Sequence, residues 1–266
     1  MTTYQRTDNT GQVAVILTVW KRDHLREQIE ALLQQSLPPS EIWIYHCCRH
    51  VRPALTETKQ YPFIKYQFNS ADLGYFGRFS LGLQVDTPYL LVMDDDVIPS
   101  SRWLEECREL CSQQNVIVSP AGRIIPRDNY SPEKISGKDH LARYFFGDGD
   151  NGSMANRCEA NTIVDFGCNS WFIRTEWLQY FWSVKPYSRL TGEDIHLSAS
   201  SLLLGGIRTL CPRQEENGLC GNRKKEYGFD QIASWRQPGF IPERKKILEG
   251  WIKEKGWRPL HWKDTN

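Results

Sequence analysis

An apolar run that ends in three consecutive carboxylates constrains this chain most: Tyr89-Leu90-Leu91-Val92-Met93 is followed directly by Asp94-Asp95-Asp96. The run is short, continuous and bounded by Pro88, which suits a strand buried on both faces better than a helix. Strands of that kind belong to parallel sheets covered on both sides, and open α/β sheets bind ligands beyond the carboxyl ends of their strands. If the extended geometry continued, Asp94 and Asp96 would face one side and Asp95 the other. Two carboxylates on one side repel unless a cation sits between them, and a hard divalent ion with oxygen ligands, Mg2+ or Mn2+, is the natural one. The alternative is a solvated acidic loop before a helix capped by Ser100 or Ser101, with Glu105 and Glu106 in its first turns.

The segments before it read as repeated strand and helix units. Val13 to Val19 is a buried strand, Asp23 is placed to cap a helix carrying Leu25, Ile29, Leu32 and Leu33, and Pro38-Pro39 stops that helix before a second strand begins at Ile42. A right-handed βαβ unit is the economical topology, and its repetition gives a parallel sheet. Phe63 to Phe68 is a third strand, running into the turn Asn69 to Arg78, where Gly74 and Gly77 permit close backbone approach. Thr18, Trp20, Arg22 and Asp23 follow strand one, and Asp72 and Arg78 lie in the turn after strand three, both places where a nucleotide can be met by backbone N–H groups and side chains. A glycine-containing turn with a surface ion pair explains Asp72 and Arg78 equally well. Neither GxGxxG nor GxxxxGK[ST] occurs.

After the acidic strand the spacing predicts a helix with Trp103, Leu104, Cys107, Leu110 and Cys111 on one face, then a strand at 116–119. Residues 126–157 are rich in Gly, Asp, Asn, Ser and Pro and read as a long loop or lid, with Tyr144-Phe145-Phe146 as its apolar island. Strands at 162–167 and 171–173 surround Cys168-Asn169-Ser170, Thr175 is placed to cap a short helix, and Gly192-Glu193-Asp194 opens a helix that Gly205-Gly206 stops. Acids at a helix start complement its dipole, and they equally serve to aim a carboxylate into a cleft. A strand at 207–212 and a polar segment lead to a last helix, with Pro242 in its first turn and Ile247, Leu248, Trp251 and Ile252 on its apolar face. That tail reads as a closing or oligomerising element.

Composition narrows the partners. With 266 residues the chain can bury a full core, and a net charge of +1 exerts no general pull toward nucleic acid or anionic membrane. No run approaches the roughly 20 apolar residues of a membrane span. The run Val13 to Val19 is too short for a signal-peptide core. The eight cysteines lack zinc-type CxxC spacing and read as reduced thiols of a cytoplasmic protein. Ten tryptophans, several late in the chain, are a high usage that serves either core packing or sugar faces.

In order along the chain, these elements resemble the nucleotide-sugar glycosyltransferases of the GT-A type, family-2-like. The resemblance rests on the first βαβ unit with Thr18, Trp20 and Arg22, the Asn69 to Arg78 turn, Met93-Asp94-Asp95-Asp96 as a DxD-type motif, the Gly167 to Phe172 segment and Gly192-Glu193-Asp194 as an xED-type motif. It implies an α/β GT-A fold, a mostly parallel central sheet flanked by helices with a helical C-terminal extension. The domain would span 1–222, with a donor half of about 1–120 and an acceptor half of about 121–222, and 223–266 would pack on it.

The resemblance further implies a nucleotide-sugar donor, UDP favoured, and a glycan acceptor, with surface polysaccharide or glycan synthesis as the setting. A lipid-linked acceptor would bring peripheral membrane association. Asp96 and Asp94 would hold Mn2+ or Mg2+ at the donor diphosphate. Thr18, Trp20, Arg22, His46, Asp72, Arg78, Asp94 and Asp95 would contact the donor. Asn169 and Trp171 would contact the acceptor. Asp194 would be the general base of an inverting reaction, with Glu193 binding acceptor or supporting that geometry, while His196 is either a neighbouring ligand or structural. The chain departs from the family's pattern in two places. Cys211-Pro212-Arg213 stands where many relatives place a metal-binding histidine, the next histidine being His261, so Arg213 would contact the diphosphate directly. His46-Cys47-Cys48 stands where relatives often place an acid toward the base. A nucleotidyltransferase using the same metal-bound carboxylates, and a catalytically silent glycan-binding domain, are the competing readings.

Overall fold

A computed structural model describes residues 12–52, 61–125, 160–215 and 218–260. The expected loop or lid at 126–157 with its island Tyr144-Phe145-Phe146, and His261, lie outside the described residues. The strands are β1 (Val13–Val19), β2 (Glu41–Cys47), β3 (Ile64–Asn69), β4 (Tyr89–Met93), β5 (Ile117–Val118), β6 (Ala121–Arg123), β7 (Thr162–Val164), β8 (Phe166–Cys168), β9 (Ser170–Arg174) and β10 (Thr209–Cys211). The helices are α1 (Leu25–Leu33), α2 (Gly77–Ser80), α3 (Trp103–Gln114), α4 (Leu178–Ser183), α5 (Glu193–Gly205) and α6 (Phe240–Lys253).

Eight strands form one sheet in the order β3-β2-β1-β4-β9-β5-β10-β7, with β6 and β8 paired separately. β3, β2, β1 and β4 are mutually parallel, and β10 is parallel to β5, whereas β9 runs antiparallel between β4 and β5, and β7 antiparallel at the edge. The apolar runs explain the centre: all five residues of β4 are buried, and so are six of the seven in β1. The two faces are closed by α1 through Leu25, Ile29 and Leu32, by α3 through Trp103, Leu104 and Cys107, and by α4 through Leu178 and Phe181. A second cluster joins α5 (Ile195, Ala199) to α6 (Ile247, Leu248, Trp251), as the stripe on the last helix predicts.

Because β1, β2, β3 and β4 run the same way, their carboxyl ends lie along one rim of the sheet. That rim receives the segments that begin at Trp20, Cys48, Ser70 and Asp94. The antiparallel β9 starts at the same rim, since Met93 pairs with Ser170 and the Asp94 amide donates to the Asn169 carbonyl at 2.9 Å. Asn169 adopts a left-handed backbone with φ 73°, a costly conformation for a residue with a side chain, at the hinge between β8 and β9.

Three expected helix caps are not made, two of them for a common reason. The helix caps are His24 and Arg102 rather than Asp23 and Ser100 or Ser101, and no side chain caps either helix. The Ser100 hydroxyl instead accepts the Cys220 amide at 2.9 Å. Thr175 begins a 3₁₀ turn, and its hydroxyl donates to the Thr87 carbonyl at 2.6 Å. In both cases a tertiary hydrogen bond takes the oxygen that a local rule assigns to a cap.

Candidate active site

The rim opens into a cavity of about 790 Å³, within the range of small-molecule sites. The sequence predicts alternation across Asp94, Asp95 and Asp96, but the strand ends at Met93 and the chain turns. Asp94 therefore faces Arg78, while Asp95 and Asp96 both face Arg22, at 2.7 and 3.2 Å.

Arg78 is only 3% exposed and ties the two acidic segments together. It donates to Asp94 after β4 and, at 2.8 Å, to Glu193 at the start of α5. It reaches there because α2 begins at Gly77, where a Cβ would lie 2.1 Å from the Tyr45 hydroxyl. The turn before it depends on Gly74, whose φ of 63° and contact with the Arg189 carbonyl oxygen, 2.2 Å from an added Cβ, admit no side chain. Although burial pulls the Arg78 guanidinium down, Asp94 and Glu193 more than offset it and hold its pKa above the ordinary value.

Asp194 is gripped from the other side. Arg244, on α6, donates from both terminal nitrogens to both carboxylate oxygens at 2.8 Å. Oδ1 also accepts the Ile195 amide at 2.8 Å, and the Cys168 thiol contacts Oδ2 at 3.9 Å. α5 can start here because Gly192, with φ 85°, turns the chain where a Cβ would meet Ile247 at 2.6 Å. The tail forms a third wall: Asp230 receives Arg22 at 2.6 and 2.8 Å, the Tyr75 and Ser234 hydroxyls are bonded, and Phe229, Trp235 and Phe240 line the cavity.

Asp94, Asp95, Asp96, Glu193, Asp194 and Asp230 thus share the three guanidiniums of Arg22, Arg78 and Arg244. Negative charge is in excess, and the carboxyls respond. Burial, reinforced by Asp94 and Asp95, pushes Asp96 up to about 7 against the pull of Arg22. Burial and the neighbouring Asp194 push Glu193 up to about 7 against Arg78. Asp95 Oδ2 is buried with no hydrogen-bond partner among the described residues. The pair expected to hold a hard divalent ion, Asp94 and Asp96, is split, since Asp94 faces Arg78; Asp95 and Asp96, which both face Arg22, are the carboxylates that fit one at this corner. The three aspartates do not converge three ligand atoms among the described residues, so the remaining ligands would be supplied by substrate oxygens or water.

Of the residues singled out in the sequence, Thr18, Trp20, Arg22, Asp72, Arg78, Asp94, Asp95, Asp96, Asn169, Trp171, Glu193 and Asp194 all line this one cavity. Two do not. His46 is buried in β2, its Nδ1 2.6 Å from the Tyr66 hydroxyl, because its side chain points toward β3 rather than to the rim. Arg213 lies beyond β10 with its side chain 66% exposed and paired to Glu215 at 3.3 Å, so it does not take the place of the missing histidine. Trp171 is 1% exposed, with Arg78 5.0 Å from its ring centre and its indole N–H donating to Gly167. It is a floor under Arg78, with almost no face left for a sugar. His196 is structural: its Nε2 lies 2.8 Å from the Phe181 carbonyl, and the ring packs on Trp251.

Arg244 is the residue that sequence reasoning missed. Its signal was present, since it precedes Ile247 and Leu248 by three and four positions and so lies on the apolar face of α6. A charge on that face requires a buried partner.

A family model described as Glycosyl transferase family 2 matches residues 14–181, more than half the chain. No curated protein matches. Among solved structures, S. aureus TarS residues 1–349, alone and in complex with UDP, shows 14% identity and a TM-score of 0.48, covering 75% of this chain and 58% of that one. A longer S. aureus TarS structure gives 12% identity and a TM-score of 0.46, with 74% of this chain and 35% of that chain covered. The chain therefore spans between about a third and three fifths of these proteins. Among the described residues, no helix is long and apolar enough to cross a membrane.

Proposed function

The chain belongs to glycosyl transferase family 2, and on that premise we propose that the cavity transfers a sugar from a nucleoside-diphosphate donor to a hydroxyl of a glycan acceptor. The observation that carries this reading is the convergence of the acid cluster after β4 and the acid pair opening α5 on one cavity, joined by Arg78.

The donor would lie along the rim formed by Thr18, Trp20, Asp72 and Asp94 to Asp96, with UDP preferred because it is the common nucleotide among DxD-containing relatives. Asp96 and Asp95 would hold Mn2+ or Mg2+, which when bound neutralises the diphosphate leaving group as a Lewis acid. Arg22 sits at the same place and would turn from Asp96 toward phosphate, supplying a fixed positive charge where negative charge develops.

Asp194 would take the proton of the attacking hydroxyl. Arg244 keeps its carboxylate oriented, and the lone pairs of Oδ1 are taken by Arg244 and the Ile195 amide. Among the described residues Oδ2 meets only Arg244 and the weak thiol contact, so it is the atom with capacity to accept a proton. Glu193 would hold Arg78, and through it Asp94, in register with that base. Transfer by a single displacement from such a base inverts the anomeric centre. The seven free cysteines among the described residues suit a reducing cytoplasm, and a glycan on a lipid carrier would bring the enzyme to a membrane surface.

The test is a panel of nucleotide sugars with a nucleotide-release assay on wild type and Asp194→Asn. The proposal expects nucleoside diphosphate to be released from one donor and the rate to fall at least about a hundredfold in the variant, with donor binding retained. Pyrophosphate release from a nucleoside triphosphate would instead support a nucleotidyltransferase. Glycan binding with no turnover of any donor would support a silent lectin-like domain, and Asp194→Asn at the wild-type rate would reject the base.

A further inference from the structure

We propose that Cys47, Cys48 and Asp72 form a binding site for one soft divalent cation, of the Zn2+ or Co2+ class, at the β2 corner of the cavity. One ligand atom from each residue falls within 4.8 Å of the other two. The two sulfurs are 3.6 Å apart, and Cys47 Sγ is 3.6 Å from Asp72 Oδ1. With metal–sulfur bonds of about 2.3 Å and metal–oxygen bonds of about 2.0–2.2 Å, tetrahedral ligands stand roughly 3.5–3.8 Å apart, so these distances already match the edges of the polyhedron.

Neighbouring residues do not reach this arrangement by default. Successive side chains of a strand point to opposite faces, which would send the two thiols apart. β2 ends at Cys47, and Cys48 takes a left-handed backbone with φ 56°, which turns its sulfur back beside the first. That conformation is disfavoured for a residue with a side chain, and such residues gather at functional sites. The carboxylate is held as well: Asp72 Oδ1 accepts the Gly74 amide at 2.8 Å, the kind of outer hydrogen bond that orients a metal ligand.

Cys47 and Asp72 line the cavity, so a fourth coordination position would face the space where a ligand enters. Two sulfurs and one oxygen select a softer ion than the all-oxygen aspartate corner, which keeps the two sites chemically distinct. The inference does not rest on the transferase reading, because its readout is a metal–thiolate spectrum and not turnover.

The experiment titrates Co2+ into the reduced, chelator-treated full chain and follows thiolate-to-cobalt charge-transfer absorption, with Zn2+ as the displacing ion. Saturation at one equivalent is expected, with loss of the band on adding Zn2+. Cys48→Ala and Asp72→Asn should each weaken binding by more than about a hundredfold, beyond the roughly 10–100-fold typical of losing an outer-shell partner alone. Asp96→Asn should leave the band unchanged. Cys48 is only half-buried and Asp72 exposed, and the melting curves of both variants without metal should match wild type. Absence of the band in folded wild-type protein overturns the proposal. So does a band that persists in Cys47→Ala/Cys48→Ala, since it would then arise from other cysteines.

Discussion

Replacing Arg78 by Met removes one buried cation from between two carboxylates and keeps most of the side chain's volume. Removing one partner of a buried ion pair costs about 3–5 kcal/mol, because the charge left behind has neither water nor a counterion. The orphaned acids limit that loss by taking up protons. Glu193 is already at about 7 with Arg78 in place and would rise further without it. The penalty at neutral pH is therefore expected near the low end, about 3 kcal/mol, and in a domain of this size each kcal/mol moves the melting point by roughly 2–4 °C. The cost must also depend on pH. At pH 8 the folded variant has either to keep two unpaired carboxylates or to bind protons against the solvent, whereas at pH 5 the protons are readily supplied. Urea unfolding of wild type and Arg78→Met at pH 5 and pH 8, in chelator, measures both quantities. We expect the destabilisation to be larger at pH 8, and Glu193→Gln in the Arg78→Met background to recover part of it. A loss below about 1 kcal/mol at pH 8, or one equal at the two pH values, would refute the view that Arg78 is the tie between the acidic segments.

Two further outcomes follow from the same charges. With Glu193 raised from 4.5 to about 7, the folded chain holds more protons than the unfolded chain between those values, so stability falls as pH rises through that window. The effect is on the order of 3 kcal/mol, and Glu193→Gln, which can still accept from Arg78, should gain on wild type in melting temperature between pH 5 and pH 8. A constant difference between the two proteins would contradict it. Arg244→Met should lower the transfer rate by at least about tenfold with donor binding retained, since the bidentate guanidinium holds the Asp194 carboxylate in place. A wild-type rate in the variant would mean that Arg244 does not orient the base.

The parts of this fold that were legible in the sequence are those where one physical demand dominates. β1 and β4 are buried on both faces and read as uninterrupted apolar runs, and α6 shows its stripe at Ile247, Leu248, Trp251 and Ile252. The start of α5 at Gly192 was legible, but the caps expected at Ser100 and Thr175 were not, because those residues bond across the fold to Cys220 and Thr87. Nothing local announces that β9 inserts antiparallel between β4 and β5, yet that insertion carries Asn169 to the acidic rim.

The site was legible to the extent that loops after parallel strands share one rim. Thr18, Arg22, Asp72, Arg78 and the aspartates all arrive there for that reason. His46 fails because it still belongs to its strand and faces Tyr66, and Arg213 because it leaves the sheet from β10, away from the cavity. The tail reads as packing from its periodicity. Its contribution of Arg244, Ser234 and Trp235 to the cavity depends on long-range pairs such as Arg22 with Asp230, 208 residues apart, which no local pattern encodes.

A crystal structure of the chain soaked with UDP and Mn2+ addresses the whole arrangement at once. We expect the ion at Asp95 and Asp96, the diphosphate beside Arg22, and Asp194 facing the open space beyond the β-phosphate. Nucleotide bound away from the β1 and β4 rim, or an acid cluster that stays closed by the three arginines while UDP binds elsewhere, would contradict it.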